Sequence, residues 1–266
     1  ITNEFCGESV MLRPRITPCL LLRNGGLVKT RQFGEDKYVG DPINAVKIFN
    51  EKAVDELIVI DIDATRLDAE PNYSLIQRLA NESRMPLCYG GGIKTSEQAE
   101  RIIQMGVEKV AISSAIIQTP DLIAKVAEVV GQQSVVGVLD VKKSLLKRYG
   151  VYTHNGTKKV AGTLSDWIKR LQSCGIGEIM INSIDRDGMQ NGYDLELVHK
   201  VKDLMAVPST FLGGASSLED IGNLINARGI GGCAAGSLFV FKGKYRAVLI
   251  NYPEFQEKLE LINKSL

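Results

Sequence analysis

The sequence has few of the residues that build metal sites and disulfide scaffolds. Its five cysteines are scattered singly, without a closely spaced pair, and only two histidines accompany them. Structural zinc sites need clustered cysteine and histidine ligands, and small disulfide-rich domains need a much higher density of cysteine. We therefore expect reduced thiols, a cytoplasmic protein, and neither a metal ion nor another cofactor.

Long apolar runs and an excess of charge are also missing. The longest apolar runs, such as residues 57–60 and 135–138, are far shorter than the roughly 20 residues that cross a bilayer. The 32 basic and 31 acidic residues give a formal net charge of +1, so no broad basic field attracts nucleic acid or an anionic membrane. The composition predicts a protein that binds neither, and any anionic ligand has to be held by local geometry.

Short apolar runs alternate along the chain with segments of helical periodicity. This order is typical of parallel strands joined by crossover helices, and eight such strands close most simply into a barrel. The predicted strands cover residues 15–22, 56–61, 87–89, 109–112, 134–139, 178–182, 209–212 and 232–235. We predict a single α/β domain, a (βα)8 TIM barrel over residues 11–266, with residues 1–10 as an appended or disordered extension.

Features of the first half of the chain recur in the second half at one constant offset. The segment around Glu56 resembles the segment around Glu178, and the glycine pair that ends at Gly92 recurs at Gly214. Chance similarity between βα units would explain the apolar positions but not the matched glycines and acidic residues. The pattern therefore favours two similar half-barrels.

Glycines and serines follow four of the predicted strands. In a barrel of this kind the functional groups lie at the carboxyl ends of the strands, where glycine lets backbone N–H groups approach a phosphate closely. The residues concerned are Gly92, Ser113 and Ser114 in the first half and Gly214, Gly236 and Ser237 in the second. Glycines that only form tight turns are the alternative. Two related clusters, one in each half, predict a ligand with a phosphate at both ends.

Charged residues mark both ends of the predicted barrel. Asp140 directly follows an apolar strand, so its carboxylate is predicted at the barrel mouth, where it could transfer protons or merely anchor a loop. The starts of four strands carry Arg15, Glu56, Lys109 and Glu178. This spacing is compatible with separate solvated charges and with a ring of ion pairs across the barrel bottom.

Six short motifs occur in order: Gly-Asp-Pro at residues 40–42, Asp-Glu-Leu at 55–57, Gly-Gly-Gly-Ile at 90–93, Gly-Glu-Ile at 177–179, Asp-Arg-Asp-Gly at 185–188 and Asn-Gly-Tyr-Asp at 191–194. With them, residues 11–241 resemble the cyclase subunit of imidazole glycerol phosphate synthase. In that family a glutaminase subunit docks at the barrel bottom, and its ammonia crosses the barrel to a bisphosphorylated ribulosyl substrate. The resemblance implies both the partner and the substrate.

The resemblance also implies roles for individual residues. Arg15, Glu56, Lys109 and Glu178 correspond to the charged gate through which ammonia enters. The residues that correspond to the substrate and phosphate contacts are Lys29, Gly92, Ser113, Ser114, Asp187, Gly188, Gly214, Gly236 and Ser237. Ser113 and Ser114 stand where the family usually has Asn-Thr or Asn-Ser.

The family's catalytic carboxylates lie at the ends of strands one and five, and this chain matches only one of them. Asp140 occupies the second position, whereas Leu21 occupies the first. Leucine cannot transfer a proton, and loss of a positioned acid or base typically lowers a rate by on the order of 10² to 10⁴. Asp63 is the nearby carboxylate that could substitute. The resemblance thus implies a divergent carbon–nitrogen lyase or synthase with weakened activity.

Four functions remain open at this point. The first is a divergent cyclase subunit, and the second is a family variant that channels ammonia to a different amidation, such as amidino-sugar synthesis for a surface polysaccharide. The third, an isomerase of the related single-chain barrel type, does not need the four gate charges. The fourth, a scaffold without activity, does not need two phosphate clusters.

Overall fold

The computed structural model describes residues 13–144, 146–227 and 229–263, so the predicted extension at residues 1–10 lies outside the described residues. Eight parallel strands form a closed barrel, and we number them barrel strands 1 to 8 in chain order. They are Arg15–Arg23, Leu57–Asp61, Leu87–Gly90, Lys109–Ile112, Val135–Lys143, Glu178–Ser183, Ser209–Leu212 and Gly232–Ala235. Strand 8 pairs in parallel with strand 1, with Gly232 opposite Arg15, and this pairing closes the barrel. The predicted (βα)8 fold is confirmed.

Helices lie between the barrel strands and after the last of them. They are Pro42–Glu51, Tyr73–Glu82, Ser96–Gln104, Ser114–Gln118, Leu122–Val130, Leu164–Ser173, Leu195–Val201, Leu218–Ile225, Ser237–Val240 and Phe255–Asn263, with 3-10 turns at Gln132–Ser134 and Lys202–Leu204. Local sequence fixes several starts. The Asp41 carboxylate accepts a hydrogen bond from the Asn44 N–H, and Thr163 and Asp166 form a reciprocal capping box.

Several short strands were not predicted from the sequence. Gly26–Thr30 and Asp36–Gly40 form a hairpin after strand 1, Tyr149–Thr153 pairs antiparallel with the extended end of strand 5, and the two-residue strand Lys158–Lys159 follows it. A second small hairpin pairs Phe241–Lys242 with Ala247–Val248. Asp36–Gly40 and Lys158–Lys159 contain no buried residue. These two strands therefore lack the apolar run that marks a barrel strand.

The barrel interior, or lumen, is packed with side chains. Seven buried residues form its core: Cys19, Ile58, Cys88, Ala111, Val136, Met180 and Ala234. Four partly buried residues cover this core: Leu21, Ile60, Val138 and Leu212. A separate and larger apolar cluster lies between the strands and the surrounding helices. Because the lumen is filled in this way, the polar groups concentrate at its two ends.

The final segment of the described chain is attached to the beginning of the barrel. The Tyr252 hydroxyl donates to the carbonyl oxygen of Ile16 at 2.7 Å. The buried Lys258 ammonium lies 2.8 Å from a carboxylate oxygen of Asp55, whose other oxygen accepts the Ile16 N–H at 3.0 Å. The C-terminal helix is therefore held against the starts of strands 1 and 2.

Candidate active site at the mouth and charged ring at the base

The carboxyl ends of the strands surround a cavity of about 470 Å³ at the barrel mouth. All nine residues that the resemblance assigned to substrate and phosphate contacts line this cavity: Lys29, Gly92, Ser113, Ser114, Asp187, Gly188, Gly214, Gly236 and Ser237. Asp140 and Leu21 line it as well. The structure thus brings together residues that lie more than two hundred positions apart in the sequence.

Asp140 lines this cavity and has uncharged hydrogen-bond partners. Its two carboxylate oxygens accept hydrogen bonds from the Ser113 hydroxyl at 3.2 Å and from the Asn182 side-chain amide at 3.1 Å. Burial raises the pKa of Asp140 to about 6, although both hydrogen bonds oppose the shift. A carboxyl group of this kind can donate and accept a proton near neutral pH. Asn182 was missed from the sequence, because an amide within an apolar strand carries no recognisable pattern.

Leu21 and Asp63 are placed in different surroundings. The Leu21 side chain belongs to an apolar floor of the cavity, together with Ile60, Val138 and Leu212. One Asp63 oxygen lies 3.1 Å from the guanidinium of Arg66 and 3.4 Å from Nε of Arg23. Asp63 is not among the residues that line the cavity, because its carboxylate turns toward these two arginines. That Asp63 takes the place of the missing carboxylate stays a prediction.

A different carboxylate of strand 2 does line the cavity. Oδ1 of Asp61 accepts hydrogen bonds from the N–H groups of Asp63 and Ala64, at 3.0 and 3.1 Å. Burial raises the pKa of Asp61, and these two hydrogen bonds act in the opposite direction. Asp61 thus holds the turn after strand 2 and contributes a carboxylate to the cavity wall.

A buried lysine distinguishes the second-half cluster. The Lys29 ammonium donates to the carbonyl oxygen of Cys19, and it lies so close to Gly236 that a Cβ atom at that position would collide with it. Burial lowers the pKa of Lys29. Nearby, Asp187 accepts the Thr30 hydroxyl at 2.9 Å, and burial raises the pKa of Asp187. This side of the cavity therefore combines an ammonium with a carboxyl group of altered acidity.

Glycine is required where the backbone lines the cavity. Gly92 has φ +76° and Gly214 has φ +103°, both in the left-handed region that side-chain-bearing residues rarely adopt. A Cβ atom at Gly92 would lie 3.0 Å from the Ala69 carbonyl oxygen, and one at Gly214 would collide with the Gly192 carbonyl. In the same wall, the buried Ser237 hydroxyl has no hydrogen-bond partner within the described residues. It is available to a ligand.

The four charged residues at the strand starts form a closed ring across the barrel base, with cations and anions in alternation. Arg15 lies 3.0 Å from Glu56 and 2.6 Å from Glu178, and Lys109 lies 2.8 and 2.9 Å from the same two residues. The Thr210 hydroxyl also donates a hydrogen bond to Glu178 at 2.6 Å. This contact was not predicted, because nothing in the sequence distinguishes an uncharged strand residue as a partner of the ring. Of the two arrangements left open by the sequence, the ring is the one observed.

Charges in this ring stabilise one another. Burial alone would lower the pKa of Lys109 and of Arg15, but the carboxylates of Glu178 and Glu56 outweigh it and raise both values. Burial would likewise raise the pKa of Glu178, yet Lys109 and Arg15 lower it overall. These three groups are therefore held in their charged forms at neutral pH.

Two further features bear on the class of protein. Across the described ranges, no helix is both long enough and apolar enough to span a membrane. Within the same ranges, no cluster of three or more histidine, cysteine, aspartate or glutamate side chains is arranged to hold a metal ion. Cys19, Cys88, Cys174 and Cys233 are free thiols.

Comparison with known proteins matches residues 15–246 to the family described as "Histidine biosynthesis protein". A Vibrio vulnificus (strain YJ016) protein named "Putative imidazole glycerol phosphate synthase subunit hisF3" is 57% identical over 249 residues, covering 93% of this chain and 96% of that protein. "Imidazole glycerol phosphate synthase subunit HisF" of Exiguobacterium sibiricum is 36% identical over 229 residues, covering 86% and 91%. The chain therefore belongs to the histidine biosynthesis protein family, where it is similar to the HisF subunits of imidazole glycerol phosphate synthase.

Proposed function

We propose that this protein is a cyclase subunit that receives ammonia from a glutaminase subunit and uses it on a bisphosphorylated ribulosyl substrate. The observation that carries the proposal is the arrangement of two polar sites at opposite ends of one lumen. A ring of four charges lies at the base, and a cavity that contains a carboxyl group with a pKa of about 6 lies at the mouth. Ammonia enters at the first site and reacts at the second.

At the base, the charged ring supports both docking and entry. Its ionic groups offer a surface that can steer and orient a glutaminase partner. All four pairs are formed in this structure, with the distances given above, so the ring is closed. Passage of ammonia requires at least one of these pairs to separate, and Lys109 is the flexible member because its ammonium is carried on a four-carbon stem.

At the mouth, the substrate lies across the cavity with one phosphate in each half. Gly92, Ser113 and Ser114 bind the first phosphate, and Gly214, Gly236 and Ser237 bind the second, with Lys29 neutralising charge on that side. Asp187 and Gly188 complete the second cluster. Asp140, between the two clusters, transfers protons to and from the reacting groups.

Leu21 sets the level of this activity. Because the aliphatic Leu21 occupies the position of the family's first catalytic carboxylate, Asp140 has no acid–base partner on strand 1. We therefore assign a slower cyclase reaction than that of a HisF subunit with two carboxylates. We place the reaction in the cytoplasm, in agreement with the free cysteines.

The alternative, in which ammonia is delivered to a different amidation, gains no support from the comparisons. The relatives named above are described as imidazole glycerol phosphate synthase subunits. Their family is described by histidine biosynthesis. We therefore propose the cyclase function alone.

Turnover of the ribulosyl bisphosphate with two nitrogen sources tests the proposal. The purified chain is assayed with ammonium salt, and the chain with its glutaminase subunit is assayed with glutamine. We expect product from both sources, and we expect Lys109→Glu to lower the ratio of glutamine-dependent to ammonium-dependent turnover by at least about tenfold, since charge reversal disrupts two ion pairs of the ring. No product with ammonium salt would refute the cyclase assignment. Equal loss with both sources would refute the gate assignment.

A further inference from the structure

The residues that face the lumen can be followed step by step along strand 1. Alternate residues of a strand point to the same side. Arg15 belongs to the ring at the base, Cys19 packs in the lumen core, and Leu21 lines the cavity at the mouth. Thr17 lies between Arg15 and Cys19 on the same side. Its side chain is therefore the first on this strand that a molecule meets after passing the ring.

The Thr17 hydroxyl has no hydrogen-bond partner within the described residues, although the side chain is only 1% exposed. Buried hydroxyl groups are nearly always hydrogen-bonded, because removing one from water without a partner is unfavourable. Thr210 shows the contrast at the base of strand 7, since its hydroxyl is satisfied by Glu178 at 2.6 Å. Packing does not explain Thr17 either, because valine has the same shape and favours strands equally well.

The rest of the lumen between ring and mouth is apolar. The described residues that form its core and floor carry no side-chain oxygen or nitrogen. They are Cys19, Leu21, Ile58, Ile60, Cys88, Ala111, Val136, Val138, Met180, Leu212 and Ala234. The Thr17 hydroxyl is therefore a polar group in otherwise apolar surroundings. Such a path excludes ammonium, whose charge would lose its water, and favours neutral ammonia. Neutral ammonia also forms hydrogen bonds with water, and it loses them when it enters the lumen.

We propose that the Thr17 hydroxyl is a binding station for neutral ammonia, one step above the charged ring. The hydroxyl can accept an N–H of ammonia and donate its own hydrogen to the nitrogen lone pair. It thereby replaces part of the hydration that ammonia loses at the ring and keeps the molecule from returning to the base. This inference rests on the proposed function, because it assumes that ammonia crosses the lumen.

The test compares three variants in the complex with the glutaminase subunit. Thr17→Val keeps the shape and removes the hydroxyl, Thr17→Ala removes it with a smaller side chain, and Thr17→Ser keeps it. We expect Thr17→Val and Thr17→Ala to lower the ratio of glutamine-dependent to ammonium-dependent turnover roughly threefold to tenfold, the effect of one lost hydrogen bond. Free ammonia released per glutamine hydrolysed should rise in parallel. Thr17→Ser should retain the wild-type ratio.

Lys109→Glu, measured in the same assay, separates failure of this inference from failure of the proposed function. If Lys109→Glu lowers the ratio while Thr17→Val and Thr17→Ala leave it unchanged, the channel stands and the station is refuted. If Lys109→Glu also leaves the ratio unchanged, the gate assignment in the proposed function is refuted. A ratio that falls equally in Thr17→Ser would likewise overturn the role of the hydroxyl. Should Thr17→Val fail to fold, the comparison of Thr17→Ala with Thr17→Ser decides.

Discussion

The two ends of the lumen differ in how their charged groups are partnered. At the base each of the four ring residues contacts two residues of opposite charge, so the chain balances its own charges. At the mouth Asp140 is buried against the uncharged side chains of Ser113 and Asn182. The ion pairs of the closed ring fix the positions of its four side chains. A buried carboxyl group with uncharged partners can still exchange its proton. The comparison thus separates a ring whose charges are balanced within the chain from a carboxyl group that can exchange its proton.

The same difference is visible in the acidity of the two carboxyl groups. Cations lower the pKa of Glu178 despite its burial, while burial raises the pKa of Asp140 to about 6. Glu178 therefore stays ionised over the neutral range, and Asp140 titrates within it. If this contrast is correct, substitutions that remove the charge should have opposite effects on stability at the two ends.

The largest expected effect is the loss of catalysis in the Asp140→Asn variant. Asparagine preserves the shape and can keep hydrogen bonds to Ser113 and Asn182, but it cannot transfer a proton. We expect kcat with ammonium salt to fall by about 10² to 10⁴, while KM for the bisphosphate changes little. Steady-state kinetics at saturating ammonium measures both constants. A loss of less than about tenfold would show that Asp140 is not the proton-transfer group.

At the base, Glu178→Gln should destabilise the protein. Removing this carboxylate leaves Arg15 and Lys109 with one partner each in a largely buried position. We expect the free energy of unfolding to fall by about 3 kcal/mol. Urea denaturation at pH 7 measures the change. Glu196→Gln is the matched control, because Glu196 forms an exposed pair with Lys143 and its loss should leave the midpoint unchanged. An unchanged midpoint for Glu178→Gln would refute the cooperative ring.

Leu21→Asp tests whether the mouth lacks a second proton-transfer group. We expect ammonium-dependent kcat to rise about tenfold, less than a full catalytic contribution, because a carboxylate in the apolar floor will have a raised pKa. Leu21→Asn introduces a side chain similar in shape to aspartate but unable to exchange protons, so it should not raise the ammonium-dependent kcat. Wild-type turnover that already equals that of a HisF subunit such as the one from Exiguobacterium sibiricum would contradict this reasoning.

The one expected gain in stability comes from Asp140→Asn, and it is opposite in sign to the effect of Glu178→Gln. The pKa of Asp140 rises from 3.8 to about 6 on folding, so protonation favours the folded state and stability falls as pH rises through about 6. The Asp140→Asn variant does not lose stability in this way, because asparagine does not ionise. We expect it to exceed wild type by about 2 kcal/mol at pH 8 and to match it near about pH 4. Denaturation curves at the two pH values measure the difference, and a variant less stable at pH 8 would contradict it.

Much of the barrel could be predicted from the sequence because its strands are short apolar runs at regular intervals. The positions of Arg15, Lys109 and the two glutamates at the starts of strands also placed them at the same end. Partners that depend on distances across the lumen could not be predicted, because alternation gives the side of a strand and not the neighbour opposite. Asn182, Thr17 and Thr210 are uncharged residues within β-forming segments, so nothing in the sequence marked them.

Asp63 shows a second reason why the sequence was insufficient. Asp61 and Asp63 both lie at the end of strand 2, and spacing alone did not distinguish them. The turn after the strand directs Asp61 into the cavity and turns Asp63 toward Arg23 and Arg66. The direction of a side chain in a turn depends on local backbone angles that the residue types leave undetermined.

Closure of the barrel by strands 1 and 8 has a consequence for synthesis of the chain. Gly232 pairs with Arg15, and Tyr252 and Lys258 then attach the C-terminal segment to Ile16 and Asp55. Until the ribosome has released strand 8, strands 1 and 7 keep unpaired edges that can join other chains. The nascent protein is thus most prone to aggregation while strands 1 to 7 are exposed without strand 8, and chaperone protection matters most in that interval.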